Sequence, residues 1–434
     1  MLLAMLLWEG TDLRANPVVL VAGDLRGEIK PCGCSVKGQM GGLQRRMTYL
    51  AGLREEAGAG QPVWVLDLGN NFPEPSPQGG LKVDLIQEML AAMGTTAILP
   101  GPNELAFGVE RLATNLPYLL SNDAEGNRFL PFLSLGEGPE KTGVYGYLSP
   151  GLVYQKSQSH FRLEEVARPL IKRLRDNLRD EGHQRAILLF RGNDQELAAF
   201  QVTGDFDLIV SGNPFADELN QVTGRSTSLG SVPMVPTKGQ GVFRFALGAR
   251  AADAKPDGGA LDWLDGRYAD HPRSLDAFVR YDAKVKEMFL ARLTAMEAHR
   301  QESPFSGAAP CAACHRAADS VWKASRHAGA IATLERVGKS YDPECLACHV
   351  VGLGQGGYLS ADLTPELGGV KCENCHGAGK RHVANPQQPM GPVPSTAPGT
   401  HGKPDADTCI LCHRGSHSPE FDFARYWPKI RHTK

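Results

Sequence analysis

One five-residue pattern, Cys-x-x-Cys-His, occurs four times between residues 311 and 413 of this 434-residue chain. Two thiols on one helical turn can form thioethers with the two vinyl groups of a haem, and the next histidine then supplies the proximal nitrogen to iron. Zinc sites and disulfide frameworks also pair cysteines, but neither requires a histidine directly after every second cysteine. The sequence therefore predicts four covalent c-type haems, attached through Cys311, Cys314, Cys345, Cys348, Cys372, Cys375, Cys409 and Cys412, with His315, His349, His376 and His413 as proximal iron ligands.

The segment that holds these motifs, residues 305–434, has too few residues per haem for a conventional hydrophobic core. The porphyrins are therefore expected to form much of its apolar interior. Stretches rich in glycine and proline, such as "GLGQGGYLS" and "PQQPMGPVPSTAPGTHGKP", favour loops between short helices. We predict a tetrahaem cytochrome c domain that is mostly α-helix and loop.

The remaining histidines of this segment are candidates for the sixth coordination position of each iron. Imidazole is a good iron ligand, and Met390 is the single methionine between residues 305 and 434. Methionine ligation raises the reduction potential of a haem. The sequence therefore predicts mainly bis-histidine ligation and low potentials, with five candidate distal ligands: His327, His382, His401, His417 and His432.

The stretches "VWKASRHAGA", "CLACHVVGLGQGGY" and "GGVKCENCHGAGKRH", followed by the fourth motif, resemble the tetrahaem cytochrome c-554 family, the electron acceptor for hydroxylamine oxidation. The resemblance extends over residues 305–432. In that family three haems are bis-histidine and the second has no sixth ligand from the protein. Carried over by position, the resemblance implies three axial pairs: His327 opposite His376, His382 opposite His413, and a histidine after the last motif opposite His315.

Two ligand positions remain open at this point. For the partner of His315 we prefer His432 to His417, because His417 lies only four residues beyond His413 and would have difficulty leaving the fourth haem. The haem on His349 is then either five-coordinate or capped by His401 or His417.

Residues 17–250 alternate between strand-like and helix-like stretches. Apolar runs such as "PVVLVAG", "PVWVLDLG" and "RAILLF" are separated by helical patterns such as "GGLQRRMTYLAGLREEAG". This alternation predicts an α/β domain with a largely parallel sheet and functional loops at the strand ends. The series "GDLRGEI", "DLGNNF", "GPNELAFG", "LLFRGND" and "VSGNP" resembles the calcineurin-like metallophosphoesterases, particularly periplasmic 5′-nucleotidases, which implies layered sheets with flanking helices.

Most metal ligands of that family are replaced in this chain. A dinuclear centre needs bridging carboxylate together with nitrogen and oxygen donors from His and Asn. Asp24 is retained, and one carboxylate cannot hold two metal ions. We therefore expect no phosphatase activity and a non-catalytic role in docking or assembly; the other expected ligand positions are occupied by Arg26, Asn70, Pro102, Asn103, Arg191 and Asn213.

Cys32 and Cys34 are the two cysteines outside the haem motifs. They are interpreted as buried inert thiols or as a disulfide, since a Cys-x-Cys pattern by itself is a weak signal. A soft-metal site shared with Asp24 and a redox-active thiol pair are the alternatives.

The rest of the chain connects and exports these two domains. Residues 1–16 are interpreted as a residual export signal because an apolar run, Leu2 to Trp8, lies there. Residues 251–304 are predicted to form a linker and a long amphipathic helix. Without a strict heptad, that helix favours packing on one domain over dimerisation. His299 at its end is expected to be a surface residue, with ligation of the first haem as the alternative.

Together these patterns predict an exported, periplasmic or cell-surface cytochrome that transfers electrons between redox proteins. The formal net charge of −2 argues against a nucleic-acid partner. Membrane-bound or filament assembly partners are a further expectation. The alternatives are a redox enzyme that acts on a small nitrogen or sulfur species at an open haem on His349, and a structural subunit of a haem-bearing filament or complex.

Overall fold

The computed structural model describes residues 16–31, 39–58, 60–126, 128–154, 162–213, 223–247, 259–297, 303–391, 404–413, 418 and 420–432. The expectations for residues 1–15, Cys32, Cys34, His299, His401 and His417 fall outside these ranges. The chain divides into two compact units, and the boundary lies between Leu275 and Asp276.

The first unit contains two mixed sheets and a hairpin. The strands are β1 (Val18–Ala22), β2 (Val63–Asp67), β3 (Ala97–Ile98), β4 (Leu133–Leu135), β5 (Thr142–Leu148), β6 (Arg185–Arg191), β7 (Leu208–Ser211), β8 (Gly224–Thr227), β9 (Gly230–Pro233), β10 (Gly241–Ala246) and β11 (Ala260–Trp263). The sheet orders are β11-β10-β1-β2-β3 and β4-β5-β6-β7, and β8 pairs with β9.

Both sheets are parallel at the centre and antiparallel at one edge. Strand β1 pairs in parallel with β2 and antiparallel with β10, while β5, β6 and β7 are mutually parallel and β4 is antiparallel to β5. The central strands "VVLVA" and "RAILLFR" are buried along their whole length, as expected for strands covered on both faces. The predicted α/β class is confirmed. Because β11 extends the first sheet, this unit continues past the predicted boundary at residue 250.

The helices of the first unit are α1 (Leu43–Ala57), α2 (Pro77–Ala92), α3 (Pro102–Ala106), α4 (Arg168–Asp180) and α5 (Asp194–Thr203). Local capping explains where two of them begin. The Ser76 hydroxyl accepts the Gly79 N–H at the start of α2, and the Asn193 side chain accepts the Glu196 N–H at the start of α5. Helices α4 and α5 bury Leu170, Leu174, Leu197 and Phe200 against Tyr145, Tyr147, Leu188 and Phe190 of the second sheet.

The second unit is helical. Its elements are α6 (Leu275–Glu297), α7 (Ala308–Cys314), α8 (Arg316–Ala324), α9 (Ala330–Arg336), α10 (Pro343–His349), α11 (Cys372–His376), α12 (Lys380–Ala384), α13 (Ala406–Ile410) and α14 (Phe423–Tyr426). Helix α6 packs through Phe289 on a core of this unit that includes Leu346, Val350, Val351 and Tyr358. No helix among the described residues is long and apolar enough to cross a bilayer.

The apolar stripe predicted for α6 is only partly buried. Phe278, Val285 and Phe289 are buried. Leu275 and Val279, which follow the same helical spacing in the sequence, are 50% and 67% exposed. The buried face of α6 is therefore narrower than the full set of apolar residues along this helix.

Candidate functional sites

Short helices place the cysteines of the first three haem motifs. Helices α7, α10 and α11 hold both cysteines of one motif each, so the two thiols lie one turn apart. Helix α10 begins where the Asp342 carboxylate accepts the Glu344 N–H, with Pro343 in its first turn. In the fourth motif Cys409 lies in α13, and Cys412 lies two residues beyond its end. No disulfide joins any of these eight cysteines within the described part of the chain.

Three pairs of histidine rings face each other in the second unit. The ring centroids lie 6.3 Å apart for His315 and His382, 6.1 Å apart for His327 and His413, and 5.7 Å apart for His376 and His432. Two imidazoles bound end-on to one metal through bonds of about 2 Å have centroids about 6 Å apart. Each pair contains one motif histidine, so the residues present fit an iron held between two imidazoles.

These pairs differ from the pairs that the sequence resemblance implied. His382 faces His315 rather than His413, His327 faces His413 rather than His376, and His432 faces His376 rather than His315. The structure thus brings together different histidine pairs from those that the resemblance implied. Backbone contacts explain one of the changes, because the Lys380 N–H donates to the Pro304 carbonyl and holds α12, with His382, beside the start of α7.

Hydrogen bonds to backbone carbonyls orient three of the histidine rings. His349, His382 and His432 direct Nδ1 at the carbonyls of Ala330, Gln388 and Ile430, at 2.7, 2.8 and 2.9 Å. A carbonyl can only accept, so Nδ1 donates and Nε2 keeps the lone pair that a metal requires.

The pair of His327 and His413 lies in a more buried environment. Burial lowers the pKa of His327, with the neighbouring His413 adding to the effect, and burial also lowers the pKa of His413. A lowered pKa favours the neutral imidazole, the form that binds a metal. His413 also lies 3.0 Å from the Ser418 hydroxyl through Nδ1 and stacks on Phe421.

His349 differs from the other three motif histidines. Among the described residues no second histidine ring faces it, and its Nδ1 is held by Ala330 at the start of α9. Two histidines were candidates for the sixth ligand of the haem on His349. These residues, His401 and His417, lie outside the described ranges.

The attachment points of different haem motifs lie close together. The side chains of Cys311 and Cys372, from the first and third motifs, lie close enough that each shifts the pKa of the other, raising the pKa of Cys311 and lowering the pKa of Cys372 to about 7. Burial raises the pKa of Cys375 of the third motif to about 11, and the nearby Cys409 of the fourth motif adds to this effect. The third motif is thus adjacent to both the first and the fourth.

In the first unit, an arginine occupies the position where the phosphoesterase resemblance places a metal ligand. Asp24 is fully buried, and Nη1 of Arg191 lies 3.2 Å from its Oδ1. The same guanidinium donates to the carbonyls of Asn213 and Leu68, at 2.8 and 3.1 Å. Arg26 binds the other carboxylate oxygen of Asp24 at 3.1 Å. Burial lowers the pKa of Arg191, and the charge of Asp24 opposes this effect.

A second buried arginine neutralises the carboxylate that ends β2. Nη1 of Arg46 donates to Asp67 at 2.9 Å, and both side chains are 2% exposed. Beside them the buried Glu104 carboxylate accepts the N–H groups of Asn70, Asn71 and Gly101 at 2.9, 2.7 and 3.0 Å. The sequence patterns did not single out Arg46, Asp67 or Glu104. The available signal for this site was Asp67, the carboxylate residue that ends the strand "VWVLD".

The described residues of this site do not fit a dinuclear metal centre. No group of three His, Cys, Asp or Glu side chains that could hold a metal ion occurs in the described ranges. Of the residues at the other expected ligand positions, Asn103 donates its side chain to the Phe72 carbonyl, and Asn70 donates to Asp24. Asp24, Arg26 and Asn70 have positive φ values of 55°, 50° and 55°, so the backbone here is held in an uncommon conformation.

Comparison with known proteins relates each unit to a different family. Residues 310–377 match the family model described as cytochrome c554 and c-prime. Cytochrome c-554 of Nitrosomonas europaea is 36% identical in an alignment 107 residues long, and the match covers 21% of this chain and 46% of that protein. The chain therefore spans less than half the length of this curated relative.

Two solved structures from Thermus thermophilus resemble the chain in fold. The sulfate thiohydrolase SoxB aligns with a TM-score of 0.51 at 15% identity, over 62% of this chain and 61% of that protein. A 5′-nucleotidase precursor aligns with a TM-score of 0.50 at 16% identity, over 62% of this chain and 59% of that protein. The chain spans about 60% of each, and at this identity the likeness concerns the fold alone.

The chain thus joins a unit with the metallophosphoesterase fold to a segment that matches the cytochrome c554 family. Both resemblances predicted from the sequence are confirmed. The match to a cytochrome c family implies covalently bound c-type haem in the second unit.

Proposed function

We propose that this protein is an exported tetrahaem cytochrome that transfers electrons between redox proteins at the periplasm or cell surface. The observation that carries the proposal is the set of three histidine pairs at 5.7 to 6.3 Å, each built on one Cys-x-x-Cys-His motif. The haem supplies the one-electron chemistry when bound. The chain contributes the cysteines that attach it, the imidazoles that face it and the carbonyls that orient those imidazoles.

The adjacency of attachment points supports a continuous electron path. Cys311 lies beside Cys372, and Cys375 lies near Cys409, so the third motif connects the first and the fourth. Bis-histidine ligation at the three pairs favours low potentials without an exchangeable ligand, which suits a carrier.

We assign the first unit a non-catalytic role in docking or assembly. A phosphoesterase requires two metal ions that bind and polarise the phosphate. Arg191 and Arg46 instead supply the positive charges beside Asp24 and Asp67, and both arginines are buried. We expect no hydrolysis of a 5′-nucleotide or a phosphodiester in the presence of Mn²⁺ or Zn²⁺.

The proposal is tested on protein produced with a c-type haem maturation system. Intact mass should show four added haems, and electron paramagnetic resonance of the oxidised protein should show low-spin signals for at least three of them. A strong chemical reductant should reduce every haem. Fewer than four covalent haems, or mostly high-spin iron, would contradict a tetrahaem carrier.

A second candidate function is a redox enzyme whose open iron lies on His349, because no second histidine ring faces His349 among the described residues. Exposure of the reduced protein to nitric oxide tests it. A high-spin signal in the oxidised protein, together with uptake of one equivalent of nitric oxide and the appearance of a new signal in the reduced protein, favours the enzyme. Four low-spin haems that take up no ligand favour the carrier, and native size analysis separates either from a filament.

A further inference from the structure

Glu373, the second residue of the third haem motif, carries a buried carboxylate that is 0% exposed. Its two oxygens accept three backbone N–H groups from outside its own helix. The donors are Gly379 at 2.7 Å, Gly307 at 2.8 Å and Ser306 at 3.0 and 3.2 Å. A buried carboxylate needs such partners, because without them its charge would be strongly destabilising.

Two of these donors lie at the starts of α7 and α12, the helices that position the two histidines of one pair. Gly307 is the residue before α7, and α7 leads to His315. Gly379 is the residue before α12, and α12 carries His382. The rings of His315 and His382 are the pair at 6.3 Å. Through one side chain, α11 is therefore bonded to both helices that position this pair.

A glycine precedes each of these two helices, at a point where neighbouring atoms leave little room for a side chain. A Cβ at Gly379 would lie 3.1 Å from Oε1 of Glu373. Gly307 has a φ of +78°, and a Cβ there would lie 2.9 Å from the Glu366 carbonyl oxygen. Glycine at both positions allows the backbone N–H groups to reach the carboxylate.

We propose that Glu373 is a positioning residue for the haem that His315 and His382 hold. The carboxylate extends from the helix that attaches the third haem and sets the separation of the two axial ligands of the first. This inference rests on the proposed haem-binding function. A glutamine has one acceptor oxygen, and its NH₂ group would face an N–H donor, so it cannot reproduce these bonds.

The experiment compares Glu373→Gln with the wild-type haem-loaded chain by electron paramagnetic resonance. His382→Ala identifies the signal of the first haem, because it removes one of the two facing rings. Glu366→Gln is the matched control, since Glu366 is an exposed glutamate of the same unit. We expect Glu373→Gln to shift or broaden the low-spin signal that His382→Ala removes, or to convert it to high spin, while the other signals stay unchanged.

Several results would overturn the inference. One is a Glu373→Gln protein with four unchanged haem signals and only a lower melting temperature, which would mean that Glu373 merely stabilises the fold. Another is an equal change in all signals.

If Glu373→Gln yields no haem-loaded protein, Glu373→Asp keeps the charge on a shorter side chain. It should alter the first haem's signal selectively, and an unchanged signal there would reject the inference. Absence of covalent haem from the wild type would instead reject the proposed function.

Discussion

At the scale of single residues, two arginines determine the chemistry of the first unit. Nη1 of Arg191 lies 3.2 Å from Asp24, and Nη1 of Arg46 lies 2.9 Å from Asp67, in places with almost no solvent access. Metal ions and guanidinium groups both neutralise buried carboxylates, but a guanidinium has no open coordination position for a substrate. Because guanidinium groups neutralise Asp24 and Asp67, these buried carboxylates do not need metal ions as partners in this fold.

The Arg191→Met variant should destabilise the first unit. It would remove the buried guanidinium beside Asp24 and leave Arg26 as the remaining cationic partner of that carboxylate. Removal of one member of a buried ion pair costs about 3–5 kcal/mol. The measurement is the free energy of unfolding for the transition assigned to the first unit, from denaturant titration. Arg175→Met is the control, because the Arg175 side chain is exposed and its ion pair with Asp205 contributes little to stability. Equal losses in the two variants would refute the role given to Arg191.

Glu104 should make the stability of the first unit depend on pH. Burial raises the pKa of Glu104 to about 7, despite the backbone N–H groups that lower it. The folded state therefore holds a proton that the unfolded state releases near its ordinary pKa of about 4.3. Stability from this group is present at lower pH and is lost as pH rises from about 4.3 through 7.

The Glu104→Gln variant tests this dependence through melting temperatures measured between pH 4.5 and 8. The stability difference, wild type minus variant, should fall as pH rises through that range. A difference that is constant, or that grows with pH, would show that Glu104 is ionised throughout in the folded protein.

At the scale of elements, the ends of short helices determine which histidines meet. Helix α12 starts beside residues 304–307, so His382 faces His315. His327 lies in the turn before α9 and faces His413 near the chain's end. These contacts join parts of the chain far apart in sequence, which is why the pairs differ from those that the family resemblance implied.

Paired histidine substitutions distinguish the two pairing schemes. If His327 and His413 share one iron, the double variant His327→Ala/His413→Ala should perturb one haem, as each single variant does. The double variant His327→Ala/His376→Ala should perturb two haems. Quantified low-spin signals in electron paramagnetic resonance give the count. If the His327→Ala/His376→Ala variant instead perturbs one haem and the His327→Ala/His413→Ala variant perturbs two, the pairing implied by the family resemblance is correct.

At the scale of the whole molecule, the two units differ in what forms their interior. The first contains two sheets with fully buried central strands and its own aromatic core of Tyr145, Tyr147, Phe190 and Phe200. The second contains the long helix α6 and several short helices around a core that includes Phe289, Leu346 and Tyr358. Isolated helices of five to seven residues are unstable in water, so they depend on packing.

Haem removal should therefore affect the second unit selectively. In a chain produced without haem attachment, limited proteolysis should cleave readily after residue 275 and leave a resistant fragment of the first unit. Mass spectrometry of the fragments, against the haem-loaded protein as control, measures this. Equal resistance of both units without haem would show that side chains alone supply the interior of the second.

The sequence by itself determined those features that depend on neighbouring residues. The haem motifs are contiguous, and the strand–helix alternation follows local periodicity, so the α/β class and both family resemblances could be predicted and were confirmed. The assignment of the motif cysteines and histidines to haem stays a prediction of the same local kind.

Tertiary structure alone decided which distant side chains meet. His382 could be paired with His315, and Arg46 with Asp67, only once helices and strands far apart in sequence were packed together. Glu373 likewise acquires its role from N–H groups that precede two other helices. Local sequence patterns do not reveal such side-chain pairs or such hydrogen bonds to a buried carboxylate, because packing and buried electrostatics depend on the folded chain as a whole.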